Sequence, residues 1–109
     1  MVKDTWNFTK LDVINAASSE TLQNCVGETL TVTGIAIAER PDADGVVQDV
    51  GFFKTDKGLM SSISASILRV IPEIIDYLVS EGINSINMKV KSGTSNNDRE
   101  FLTVEFIEE

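Results

Sequence analysis

The side chains of this chain that carry usable chemistry are its lysines, arginines and aromatic rings, and that chemistry is binding rather than turnover. Histidine is absent, which removes Ser–His and Cys–His catalysis and imidazole metal ligation together. Cys25 is the only cysteine; with no base beside it, it reads as a small core hydrophobe. Asp42 and Asp44 with Gly45 resemble the start of a calcium loop, but the later glutamate is missing, so they read as a solvated turn. No GxxxxGK[ST], GxGxxG or GxSxG pattern occurs. The sequence therefore predicts no enzymatic activity, no cofactor and no metal.

Six cations stand in or beside segments that read as strands and turns: Arg40, Lys54, Lys57, Lys89, Lys91 and Arg99. The net charge of the 109 residues is −8, which opposes nonspecific duplex binding, since that depends on Lys and Arg neutralising phosphates. The acids fall largely on the helix and the termini, although Asp42, Asp44, Asp49 and Asp56 intrude among the cations. Local positive potential is thus compatible with an acidic chain. The same acidity also fits plain solubility, or a handle for a basic protein partner.

The elements that must position these residues follow from apolar periodicity. Leu30 and Val32 alternate with threonines, and after Gly34 the parity switches to Ile35 and Ile37, as a bulge or sharp bend would leave it. Arg40-Pro41-Asp42-Ala43-Asp44-Gly45 reads as a turn, residues 46–54 as a second strand, Thr55-Asp56-Lys57-Gly58 as a hairpin turn, and Leu59-Met60 as a short third strand. A helix follows, capped by Ser61 or Ser62, with Ile63, Ile67, Ile71, Ile74, Ile75 and Leu78 at helical spacing and Gly82 beyond its end. Pro72 is expected to kink or divide it. Ile86, Met88 and Val90, then Leu102, Val104 and Phe106, mark two last strands around a polar loop at 92–99. Upstream, Trp6 and Phe8 predict a short strand near 4–10, and Ser18 a cap for a short helix ending near Val26-Gly27.

This order predicts one domain over residues 1–109, mainly β with one long helix. It matches a five-stranded oligonucleotide/oligosaccharide-binding (OB) barrel with its helix between strands 3 and 4, residues 1–28 forming an N-terminal extension. No leader-like segment and no apolar run of about 20 residues is visible, and a lone cysteine suits a reducing cytoplasm.

In such a barrel the binding surface is the face of strands 2 and 3 with the loops here at 39–46 and 92–99, and the six cations gather near it. Single-strand binders add aromatic platforms for bases. Phe101 has the parity opposite to Leu102, Val104 and Phe106 and so points away from the core, either as a platform or against the N-terminal segment. Phe52 and Phe53 point to opposite faces, and Phe53 is expected to be the exposed one. Trp6 pins its strand to the core or to a partner, and Tyr77 reads as helix packing.

The second half of the chain resembles a known family. Phe53-Lys54-Thr55-Asp56-Lys57-Gly58-Leu59-Met60-Ser61-Ser62-Ile63-Ser64, Ile74-Ile75-Asp76, Met88-Lys89-Val90-Lys91-Ser92-Gly93-Thr94-Ser95 and Phe101-Leu102 are similar, as an ordered set, to the single-stranded DNA-binding proteins of small tailed bacteriophages with protein-primed replication. The resemblance covers roughly residues 25–107. It implies a protein that coats and protects single-stranded replication intermediates without sequence preference, in the host cytoplasm. It implies contact with replication proteins and self-association, but no membrane. The implied site spans Lys54 to Met60 and the pair of strands holding Lys89, Lys91 and Phe101. Met60 stands where a tyrosine is expected, and Asn97-Asp98 make their loop less basic than the family pattern. The alternative from another class is an OB-type protein-interaction module whose acidic surface, Trp6 and Glu108-Glu109 serve a basic partner.

Overall fold

Apolar alternation builds the centre of the sheet. In strand β3 (Thr29–Pro41), Leu30 and Val32 face the core on the first half, and Ile35 and Ile37 on the second. The change of parity falls at a register shift between Val32 and Gly34, the bulge expected from the glycine. Both halves therefore bury their apolar rows in one core although their alternation is out of phase. Gly34 is also a point of close approach: an added Cβ would lie 2.7 Å from the Asn7 carbonyl oxygen and 2.8 Å from Lys54 Cε. Lys54 has room to swing aside, whereas the Asn7 backbone does not. Gly34→Ala is accordingly expected to cost about 1–3 kcal/mol, seen as a lower urea midpoint at unchanged m-value.

The computed structural model of the chain describes residues 2–94 and 100–107, with the side chains of residues 2, 3, 17, 94, 100 and 101 outside the description. Among the described residues, seven strands form one sheet: β1 (Val2–Trp6), β2 (Glu20–Thr21), β3, β4 (Val47–Thr55), β5 (Gly58–Ser62), β6 (Ile86–Thr94) and β7 (Glu100–Ile107). Five barrel strands and a short N-terminal strand near 4–10 were expected; β1 is that N-terminal strand, set a few residues earlier, and β2 is additional. The order is β2-β5-β4-β3-β6-β7, and β1 also pairs with β3. One edge of β3 pairs with β4, and its other edge pairs with β6 along Thr29 to Val32 and with β1 along Ile35 to Ala38. One long bulged strand thus serves two neighbours in succession, and the sheet curls into a half-barrel around a single main core. The β4–β5 hairpin closes on Asp56 and Lys57, with Thr55 opposite Gly58 and Gly58 at φ +107°, a value only glycine takes readily.

Helix α2 (Ala65–Ser80) fills the inside of the curl. Ile67, Ile71, Ile75 and Leu78 form its buried stripe, packed against Leu30, Ile35, Phe53, Met60 and Met88. It runs through Pro72 without being divided there. Pro72 is exposed, so the missing amide hydrogen bond falls on the side of the helix open to water. The N-cap is Ser64 rather than Ser61 or Ser62. Its hydroxyl makes no capping bond and instead donates to the Leu102 carbonyl on β7 at 2.7 Å, tying the helix start to the last strand. At the other end Gly82, at φ +63°, completes a Schellman turn: Ile83 N–H donates to the Leu78 carbonyl and Gly82 N–H to that of Val79.

The N-terminal region differs most from expectation. The strand stops at Trp6, because Asn7 takes φ +52°, a left-handed value that asparagine tolerates. Trp6 therefore enters the main core, while Phe8 turns to the opposite face of the sheet. Thr9 then opens helix α1 (Lys10–Asn15) with a capping box: its hydroxyl accepts from Asp12 N–H, and the Asp12 carboxylate accepts from Thr9 N–H. Ser18 caps nothing; it closes a 3-10 turn over Ala16–Ser18, and Thr21 caps a second one over Leu22–Cys25. Residues 8–16 lie on the outward face of β3 and β4, where Phe8 and Ala16 form a second small core with Ala36, Ala38, Val50 and Phe52. Among the described residues, no helix is long and apolar enough to cross a membrane.

Candidate nucleic-acid interface

The inward residues of β3, β6 and β7 are apolar, so the intervening positions make an outward face. On β6, Met88 and Val90 are buried, which sends Lys89 and Lys91 outward. Cross-strand register sets Lys89 between Thr29 of β3 and Glu105 of β7, and Lys91 opposite Thr103. Asn87 lies opposite Thr31, whose hydroxyl donates to the Asn87 side-chain oxygen at 3.2 Å. The β4–β5 turn is pinned beside this row: Asp56 N–H donates to the Thr31 carbonyl, and Thr31 N–H to the Asp56 carboxylate at 3.1 Å. The same turn carries Lys57, which pairs with Glu28.

Lys89 and Lys91 thus share one outward face with Thr29, Thr31, Asn87 and Thr103, and Lys57 stands on the turn pinned to Thr31. Such a surface suits a charged, flexible backbone with hydrogen-bonding groups. The lysines are not a bare basic strip. Lys57 is ion-paired with Glu28 and Lys91 with Glu105, while Lys89 has no ion pair among the described residues. The pairing with Lys91 holds the Glu105 carboxyl below its ordinary value, and the bond to Glu28 holds the Lys57 ammonium above its own. Both pairs are roughly half exposed, where water screens an ion pair strongly. A phosphate can therefore take the carboxylate's place at small cost.

Arg40 and Lys54 lie further along the same outward face, under the N-terminal segment. Lys54 Nζ is 3.1 Å from Asp12 Oδ2. Arg40 donates through Nη2 to the Val13 carbonyl at 2.8 Å, and its Cζ stands 5.9 Å from the centre of the Phe52 ring. Phe8 covers the same ring, with centroids 6.3 Å apart and planes 27° apart. The structure therefore separates five of the six expected cations into an open group, Lys57, Lys89 and Lys91, and a covered group, Arg40 and Lys54. Arg99 lies outside the described residues. Phe101 is registered opposite Gly93, and its side chain lies outside the description.

Two expectations are corrected. Phe53 is not exposed: it is 0 % accessible and is the largest fully buried side chain of the main core. Phe52, on the other face, is buried as well at 3 %, because the N-terminal segment covers it. Met60 is 2 % accessible in the main core, opposite Phe53 across the β4–β5 ladder. A base cannot stack on Phe53 or Met60 in this arrangement; both act by holding the sheet together. Sequence reading takes Phe8 as a strand residue beside Trp6 and gives no role to Asp12. The signal was present as Thr9-x-x-Asp12, a capping-box pattern that would have placed a helix start immediately after Phe8.

Asp12 carries a testable electrostatic consequence. Hydrogen bonding to the Thr9 amide, opposed by partial desolvation and aided by Lys54, holds its carboxyl below the ordinary aspartate value. A depressed folded value means that the ionised carboxylate stabilises the fold above the pH at which it titrates in the unfolded chain. That stabilisation is lost as the pH falls through the folded value. In urea unfolding from pH 7 to pH 2, the wild type should lose stability below the ordinary aspartate range more steeply than Asp12→Asn. Parallel profiles would remove Asp12 from the account. Cys25, whose thiol is pushed up by burial and then by Glu28, stays protonated through this range.

The chain is thus a curled, mainly β sheet with one inner helix and an outward row of lysines, threonines and asparagine. A protein-family model described as phage single-stranded DNA-binding protein matches residues 5–107, and the chain belongs to that family. Among curated proteins and among solved structures, none matches the chain significantly.

Proposed function

We propose that this protein binds single-stranded DNA without sequence preference, and that it coats and protects replication intermediates of a phage in the host cytoplasm. Family membership over residues 5–107 carries the reading, and the outward face of β3, β6 and β7 supplies a chemistry consistent with it. Lys57, Lys89 and Lys91 take phosphates in exchange for Glu28 and Glu105. Thr29, Thr31 and Asn87 offer hydrogen bonds to sugars and bases, and Phe101, with Arg99, belongs to the same site as a stacking platform beside a phosphate cation. None of these contacts reads a base edge in a unique way, so the surface favours any strand. The fold is of OB type: β3 to β7 supply the five barrel strands, and β1 and β2 are additions. The fit of one small surface to a long polymer favours several protomers side by side, by self-association or cooperative loading, and replication proteins are further partners.

The protein-interaction reading loses one of its three supports, since Trp6 is buried in the main core. The test for coating is protection. Circular single-stranded DNA of mixed sequence is saturated with the protein and then exposed to a single-strand nuclease. Strands that survive in proportion to bound protein, with equal competition by dT, dC and dA oligomers, support the proposal. Degradation at the rate of naked DNA, or one preferred sequence, contradicts it.

A further inference from the structure

The outward face of β3 does not end at the lysine row. It continues from Thr29 and Thr31 past the bulge to Gly34, Ala36, Ala38 and Arg40, beside Lys54 and Phe52 of β4. Its first half is open and its second half lies under residues 7–16. Beneath that cover is an aromatic ring with a guanidinium 5.9 Å from its centre and an ammonium on the same face. Those are the parts of a site for a nucleotide: a ring for the base and two cations for phosphates.

What occupies these groups in the free protein has the same chemistry. The Phe8 ring stacks on Phe52 where a base would lie, and the Asp12 carboxylate takes Lys54 where a phosphate would lie. A backbone carbonyl, that of Val13, takes Arg40. The covering segment is lightly held. Helix α1 has no fully buried residue, Leu11 and Ile14 are 65 % and 68 % exposed, and the main apolar anchors are Phe8 and Ala16.

We propose that Phe52, Arg40 and Lys54 form a second binding site for single-stranded DNA, masked in the free protein by residues 7–16, with Phe8 in place of a base and Asp12 in place of a phosphate. This rests on the single-strand reading above and extends it. A strand on the lysine row runs along β3 into this site and displaces the segment. The shallow β3 surface at Ala36 and Ala38 leaves room for it.

The test uses fluorescence anisotropy of a labelled oligo-dT long enough to cross both halves, with each variant's fold checked by circular dichroism and melting. Phe8→Ala is expected to bind about three- to tenfold tighter than wild type, by removal of the competing ring. Asp12→Asn, which leaves the core untouched, is expected to bind about twofold tighter. Phe8→Ala combined with Phe52→Leu should lose the gain. If Phe8→Ala fails to fold, photocrosslinking of the wild type to an oligonucleotide carrying 5-iododeoxyuridine decides the matter: adducts on the Phe52 peptide support the masked site, and adducts confined to β6 and β7 overturn it. Wild-type binding with no gain in folded Phe8→Ala and Asp12→Asn overturns the masked site and leaves the single-strand reading standing. Absence of binding by every folded variant overturns both.

Discussion

Alanine at Lys57, Lys89 and Lys91 together is expected to weaken binding of oligo-dT by about 100-fold at low salt, from roughly 1 kcal/mol per lost phosphate contact. The slope of log K against log salt should fall by about 2, since each contact on a single strand contributes about 0.7. The melting temperature should hardly move. Lys89 has no ion pair to lose among the described residues, and those of Lys57 and Lys91 are half exposed. The combination of lost affinity, a flatter salt dependence and an intact fold is specific to phosphate contacts. An unchanged slope with lower affinity would mean that these lysines act through something other than phosphates. The single change Lys89→Ala is the most informative component, because it removes a cation without freeing a carboxylate.

Phe53→Ala tests the opposite assignment. With the ring fully buried against α2 and β3, its loss should cost about 3–5 kcal/mol, a large share of the roughly 5–15 kcal/mol that holds a domain of this size together. A drop in Tm of roughly 15 °C or more follows. Phe53→Leu, which keeps most of the volume, should cost about 1 kcal/mol, and the folded protein should bind oligo-dT as the wild type does. If Phe53→Leu instead kept its Tm and lost affinity, the ring would be a binding residue.

These two residue sets show where sequence reasoning reached and where it stopped. Lys89 and Lys91 were legible because Met88 and Val90 flank them in strict alternation, and one buried row dictates the direction of the other. The bulge at Gly34 was legible for the same reason, as a break in alternation at the residue best able to make it. Phe52 and Phe53 were not. Alternation says that adjacent rings face apart, but only a contact with Phe8, over forty positions away, decides that both faces are covered. Met60 carried the same ambiguity, because a two-residue apolar stretch has no period to read. The ion pairs of Lys54, Lys57 and Lys91 with Asp12, Glu28 and Glu105 also depend on the fold. In the N-terminal region Trp6 and Phe8 look like one face of a strand, and the left-handed turn at Asn7 sends them to different cores. Pro72 does not divide the helix, because it lies on the exposed side of α2, where water can take the hydrogen bond that it leaves unmade.

The central claim is single-strand binding at the outward face of β3, β6 and β7. Its most direct test is fluorescence anisotropy of a labelled oligo-dT titrated with the wild-type protein at low and moderate salt, with duplex DNA of equal length as control. Tighter binding to the single strand than to the duplex is expected, weakened by salt with a slope of at least about 3 for the contacts of Lys57, Lys89, Lys91 and Arg99. No binding at about 100 µM protein, well above the range of single-strand binders, or equal binding to the duplex, would contradict it.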